Sequence, residues 1–137
     1  MAFIDMQTMR YINLLDRESK VKTRRCFLYN NAIIFAVPRF MISKAIGPDA
    51  KNIKRIQDQL GKRVRIISEA SGIDDAARFI EDVVYPVKFK SLELKEGAFV
   101  LNAGSQSKAA LIGRNKRRLD ELKKIVIDSF NIDLKIV

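Results

Sequence analysis

The chain repeats itself. At an offset of 66 residues, AIIFAV (residues 32–37) lies over AFVLNA (98–103), and SKAIGPDAKNIKRIQ (43–57) lies over AALIGRNKRRLDELK (109–123). Ile46-Gly47 falls on Ile112-Gly113, Ile53 on Leu119 and Ile56 on Leu122. VRII (64–67) then meets LKIV (134–137) at an offset of 70. Four extra residues are about one helical turn, so the second copy is expected to carry the longer helix. Identity between the copies is low, but the apolar positions are kept through a glycine turn, as a duplicated unit would keep them. The chain then divides into 1–70 and 71–137, joined by EASG at 69–72. Two small units joined this closely are expected to behave as one rigid body with a shared interface.

Each copy reads as α-β-β-α-α-β. In the second, IDDAARFIEDVVY places Ala76, Ile80, Val83 and Val84 on one side of a helix. Ser71 and Asp74 suit its start as a capping box, and Pro86 ends it. In the first, DMQTMRYINLLDR is expected to turn Met9, Ile12 and Leu15 inward. Hairpins follow: TRRCFLY and AIIFAV joined at Asn30-Asn31, then VKFKSLEL and AFVLNA joined at Lys95-Glu96-Gly97. Next come a short helix (RFMISKAI; SQSKAALI), the glycine turn, a second helix (AKNIKRIQDQL; KRRLDELKKIVIDSF) and a closing strand (KRVRIIS; IDLKIV). Helices on one face of a three-stranded sheet give an α+β fold. The other sheet face must be covered or polar.

Composition removes much chemistry. Histidine is absent and Cys26 is the single cysteine, so the chain holds no Cys/His zinc site, no Ser-His-Asp or Cys-His catalytic set and no internal disulfide. A reducing, cytoplasmic setting fits. No apolar run approaches the ~20 residues that span a bilayer, and MAFIDMQTMR lacks the order of a signal peptide. There is no GxxxxGK[ST] loop, and Asp74, Asp75, Glu81 and Asp82 read as the exposed face of one helix rather than a metal site. The expectation is a non-enzyme, with no cofactor, no metal, no membrane and no small-molecule substrate.

Charge points to a partner. The net charge is +10, spread as +3 over 1–38, +6 over 39–65, −3 over 66–104 and +4 over 105–137. One such run is ordinarily a solvated face. Two basic zones at equivalent places of a repeat favour a polyanion, nucleic acid first. A glycine at 47 and 113 permits a sharp turn, and the helix after it offers unsatisfied N–H groups to phosphate oxygens. Lys51, Lys54 and Arg55 follow the first glycine; Arg114, Lys116, Arg117 and Arg118 follow the second. Leu119, Leu122 and Val126 form the buried stripe, which turns the cations outward. Taken singly, such a turn is more simply a helix C-cap; two in register, each trailed by cations, point to one cationic track. Phe40, the aromatic nearest a turn, is expected in the core.

This order, with Ile-Gly-x-x between helices, resembles the type II KH domain. Two in direct tandem resemble the KH pair of the NusA family in its short archaeal form, along essentially the whole chain. IGPDAKNIKRIQ and IGRNKRRL are the most distinctive segments. The resemblance implies a GXXG loop clamping about four nucleotides of single-stranded nucleic acid, a role in transcription elongation, termination or antitermination, and RNA polymerase as a further partner. The candidate RNA-binding set is Lys44, Ile46, Gly47, Pro48, Asp49, Ala50, Lys51, Lys54 and Arg55, with Lys108, Ile112, Gly113, Arg114, Asn115, Lys116, Arg117 and Arg118. Ala50 and Lys116 replace the second glycine, and Asp49 brings a negative charge to the first loop, so the second loop is expected to bind more strongly. The alternative is a protein-interaction scaffold whose altered loops no longer hold RNA and whose basic face meets an acidic protein.

Overall fold

A computed structural model describes residues 6–137. The chain divides between Glu69 and Ala70 into two compact units. The first contains α1 (Met6–Ser19), β1 (Arg25–Tyr29), β2 (Ala32–Val37), α2 (Ile42–Ile46), α3 (Lys51–Leu60) and β3 (Arg63–Ser68). The second contains α4 (Ala76–Val84), β4 (Ser91–Lys95), β5 (Ala98–Asn102), α5 (Ser105–Ile112), α6 (Arg117–Phe130) and β6 (Asp133–Ile136). Each sheet has its middle strand antiparallel to the strand before it and parallel to the last. The fold is α+β. At 14 residues α6 exceeds α3, at 10, by the expected four.

Both hairpins close through two residues with positive φ, Asn30-Asn31 and Glu96-Gly97, the geometry that matches strand twist. The second pairing begins only at Ser91, so Val87 to Lys90 of the expected strand lie outside it. Their partner strand ends at Asn102, whose carbonyl accepts from the Lys90 N–H at 2.7 Å, while the Val87 N–H turns back to the Val84 carbonyl at 2.9 Å.

The first core joins Tyr11, Leu14 and Leu15 of α1 to Ile33, Phe35 and Val37 of β2, Ala45, Ile56 and Val64. The expected phase of α1 was therefore off: Leu15 is buried, but Met9 is half-exposed and Tyr11 and Leu14 take the inner face. Phe40 is not core; it is 80% exposed. Met41, Ile42 and Ala45 form the inner stripe of that segment, and Phe40 falls off it. In the second unit Ala76, Ile80, Val83 and Val84 are buried as expected, with Phe79 beside them. Phe130 places its ring edge-on against Phe79 and Phe99, at 5.7 and 5.6 Å.

The outer sheet faces differ. In the first unit the register puts Phe27 and Tyr29 beside Ala32, Ile34, Ala36 and Ile67, all buried. In the second, the matching face carries Ser91, Glu93, Lys95, Asn102, Asp133 and Lys135, with a Lys95–Glu93 ion pair at 2.9 Å.

The start of α4 departs from the expected capping box. Ser71 does not cap with its side chain; its backbone N–H donates to the Asp75 carboxylate at 3.1 Å. Arg78 donates to the same carboxylate at 2.7 Å and to Asp82 at 2.6 Å. The Arg78 hydrogen bond, then that from Ser71, hold the Asp75 carboxyl far below its ordinary 3.8. A depressed carboxyl stabilises the fold above its unfolded pKa and loses that contribution as pH falls through the folded one. Asp75→Asn is therefore expected to lower the denaturation midpoint at pH 7. The gap to wild type closes progressively below pH 3.8, as urea titrations at stepped pH would show.

Candidate nucleic-acid interface

The two glycine turns have the same construction. Gly47 ends α2 at φ 79°, ψ 166°, and Gly113 ends α5 at φ 75°, ψ 174°. Side-chain-bearing residues are essentially excluded from that region. Each glycine N–H donates back to a helix carbonyl at 2.9 Å, that of Ser43 in one unit and Ala109 in the other. Two left-handed residues follow in each copy. Asp49 and Ala50 have φ 53° and 57°; Asn115 and Lys116 have φ 55° and 60°. Ala50 and Lys116, at the place of the missing second glycine, then open α3 and α6.

A clasp spans each turn. The Asn52 Nδ2 donates to the Lys44 carbonyl at 3.1 Å; an Arg118 guanidinium nitrogen donates to the Ala110 carbonyl at 3.2 Å. Asn52 and Arg118 correspond at the offset of 66, as do Lys44 and Ala110. A Cβ on Gly47 would meet the Asn52 amide nitrogen at 2.8 Å, and one on Gly113 would meet Arg118 Cγ at 2.9 Å. The glycine is thus required twice, by its dihedrals and by the side chain folded over it. Asn52 was not legible as a site residue; its pairing with Arg118 in the repeat was the available signal.

The remaining candidates fall at the turns and the helix starts. In the first unit Lys44, Pro48, Asp49, Lys51, Lys54 and Arg55 are exposed, with Ile46, Gly47 and Ala50 half-buried. Arg55 lies 3.9 Å from Glu18. In the second unit Lys108, Arg114, Asn115, Lys116 and Arg117 are exposed, with Ile112 and Gly113 half-buried. Arg118 is half-buried in its clasp, which directs it to the turn's own backbone. Neither α3 nor α6 has a side-chain cap; the N–H of Lys51 donates instead to the Pro48 carbonyl and that of Arg117 to the Arg114 carbonyl, so each turn closes on its own backbone. The four-residue loops differ by three unit charges: GPDA carries −1 and GRNK +2.

The fold and these turns define an α+β protein built on two helix–glycine turn–helix units. Among known proteins, the chain is 23% identical over 128 residues to a probable transcription termination protein NusA of Halococcus morrhuae, covering 91% of this chain and 90% of that protein. It is also 23% identical over 119 residues to the probable NusA of Methanocaldococcus jannaschii, covering 84% of this chain and 63% of that longer protein. The crystal structure of APE1850 shares the fold at a TM-score of 0.67 and 23% identity, over 98% of this chain and all of that one. No family model matches the chain. The resemblance to NusA-like proteins runs through both units.

The turns make two opposite stability predictions. Gly47→Ala and Gly113→Ala are expected to cost about 1–3 kcal/mol each, from strain and the clash with the clasp. Ala50→Gly and Lys116→Gly relieve a left-handed residue, worth about 1–2 kcal/mol, against about 0.4–1 kcal/mol of added unfolded-chain entropy. A net gain approaching 1 kcal/mol is expected. Urea midpoints of the four variants read both signs.

Proposed function

We propose that this chain is a non-catalytic, single-stranded RNA-binding factor of NusA type, acting in transcription elongation, termination or antitermination, with two type II KH domains in tandem. The repeated glycine turn carries the reading. In both copies it sets a half-buried isoleucine beside a tight backbone turn and exposed cations, the groups a KH domain needs to hold a sugar-phosphate backbone against aliphatic surface. The names of the two relatives support a role in transcription termination, and we place that role in the cytoplasm beside RNA polymerase. The second loop is the stronger phosphate contact, since Arg114 and Lys116 stand where the first loop has Pro48 and Ala50. The first contributes less because Asp49 repels phosphate. Base recognition then rests largely on aliphatic and backbone groups, which gives modest sequence preference.

A second reading has its own observation. The groove of the first unit lined by Met6, Met9, Arg10, Leu14, Arg17 and Leu60 combines apolar surface with two cations, a surface suited to an acidic protein segment. On that reading the turns are scaffold only.

The two separate in one assay. Replacing Arg114 and Asn115 together by Asp is expected to weaken binding of a single-stranded RNA oligomer at least tenfold at ~100 mM salt. The slope of log K against log salt should flatten by about 0.7 for each phosphate the variant no longer neutralises. Asp49→Asn is expected to tighten binding. Unchanged affinity and slope in the double variant, with its circular dichroism intact, would overturn the RNA reading.

A further inference from the structure

Phe40 is the most exposed aromatic side chain among the described residues, at 80% against 70% for Tyr85. A ring left in water forfeits what burial would return. Its placement is fixed rather than loose. Pro38, with φ −54°, leads into a tight turn from Arg39 to Met41, and the Met41 N–H donates to the Pro38 carbonyl at 2.8 Å. The turn runs straight into α2, whose inner stripe of Met41, Ile42 and Ala45 packs on the core. Phe40 lies in the tight turn just before α2, Lys44 lies exposed on α2, and Gly47 ends it. At about 1.5–2.0 Å per residue, the seven steps from Phe40 to Gly47 span roughly 10–14 Å. That span is within reach of the four or so nucleotides a KH domain holds.

We propose that Phe40 is a base-stacking platform in the first unit, holding one nucleobase of a single-stranded RNA whose backbone passes Lys44 to reach the Gly47 turn. The inference rests on the RNA-binding reading and adds a contact to it. Two observations favour a base over a protein side chain as the occupant. The exposed ring is followed within seven residues by an exposed cation and the glycine turn, so a ligand reaching all three combines an apolar plane with a negative backbone, and a nucleotide strand has both. The two units are also complementary. At the offset of 66, Phe40 corresponds to Gln106, which has no ring, and the second loop has the cations that the first lacks. The unit with the weak phosphate contact carries a ring seven residues before its glycine turn, and the unit with the strong one carries Gln106 at that place. Stacking accepts every base, because each has a π-face.

The full chain has no tryptophan, so Phe40→Trp installs a single fluorescent reporter. The probes are a single-stranded RNA oligomer and its base-free counterpart of the same length. Phe40→Ala is expected to weaken the base-bearing oligomer about tenfold, at the low end of what one stacked base contributes. The salt slope should stay unchanged, since a ring displaces no counterions, and the base-free oligomer should bind wild type and variant alike. Phe40→Trp is expected to keep wild-type affinity, with its emission quenched by the base-bearing oligomer and not by the base-free one. If wild type binds the oligomer and Phe40→Ala binds it equally well, the stacking role is overturned and the RNA reading stands. Equal losses on both oligomers, with a lowered melting temperature, would make the ring structural and also overturn it. A wild-type chain that holds neither oligomer overturns both readings together.

Discussion

Much of this architecture depends on one backbone constraint, a glycine at positive φ and extended ψ that ends one helix so that the next can start. A Cβ is excluded there by the dihedrals and by the side chain lying across the turn. The clasp from residue 52 or 118 back to a carbonyl of the preceding helix fixes the entry and exit of the corner. The first N–H groups of α3 and α6 close the corner further by donating to the Pro48 and Arg114 carbonyls, so the direction in which each helix leaves is set by the turn itself. The left-handed Ala50 and Lys116 that follow are held at some cost in strain. The same pair of left-handed residues appears at the same place in both copies, which ties it to the construction of the corner.

The copies share this corner and diverge in what they attach to it. Asn52 closes the first corner with a neutral amide; Arg118 closes the second with a guanidinium. Those four loop residues sum to opposite signs. In water, two unit charges ~4 Å apart interact by about 1 kcal/mol, and by about 4 kcal/mol near a protein surface. On the proposed RNA-binding reading, a change of three unit charges in the loop is therefore enough to rank the two turns without any change of backbone.

The repeat, the order of elements and the four-residue lengthening of the last helix could all be read from the chain, because apolar spacing and turn residues encode them locally. What could not be read depends on partners distant in sequence. The apolar residues of α1 cover more than one face, since Met9, Tyr11, Ile12, Leu14 and Leu15 are all eligible; only packing selects Tyr11, Leu14 and Leu15. VKFK alternates like a strand, but its partner strand ends at Asn102, so the pairing stops at the Lys90–Asn102 hydrogen bond and the Val87 N–H turns back to Val84. Phe40 is apolar and follows a buried strand, yet the helical phase set by Met41, Ile42 and Ala45 rotates it outward. The candidate loops were legible because glycine and charge mark them. The clasp was not, because Asn52 and Arg118 are ordinary surface residue types.

The unlike outer sheet faces make the halves non-interchangeable despite their common course. Grafting the first hairpin onto the second body would set Phe27 and Tyr29 where Glu93 and Lys95 now meet solvent, inviting self-association. The reverse graft would force an ion pair into an environment built for isoleucine and tyrosine, at a desolvation cost that mutual attraction rarely recovers. Gene duplication thus produced two modules with one blueprint, and later divergence left each committed to its own end of the polypeptide.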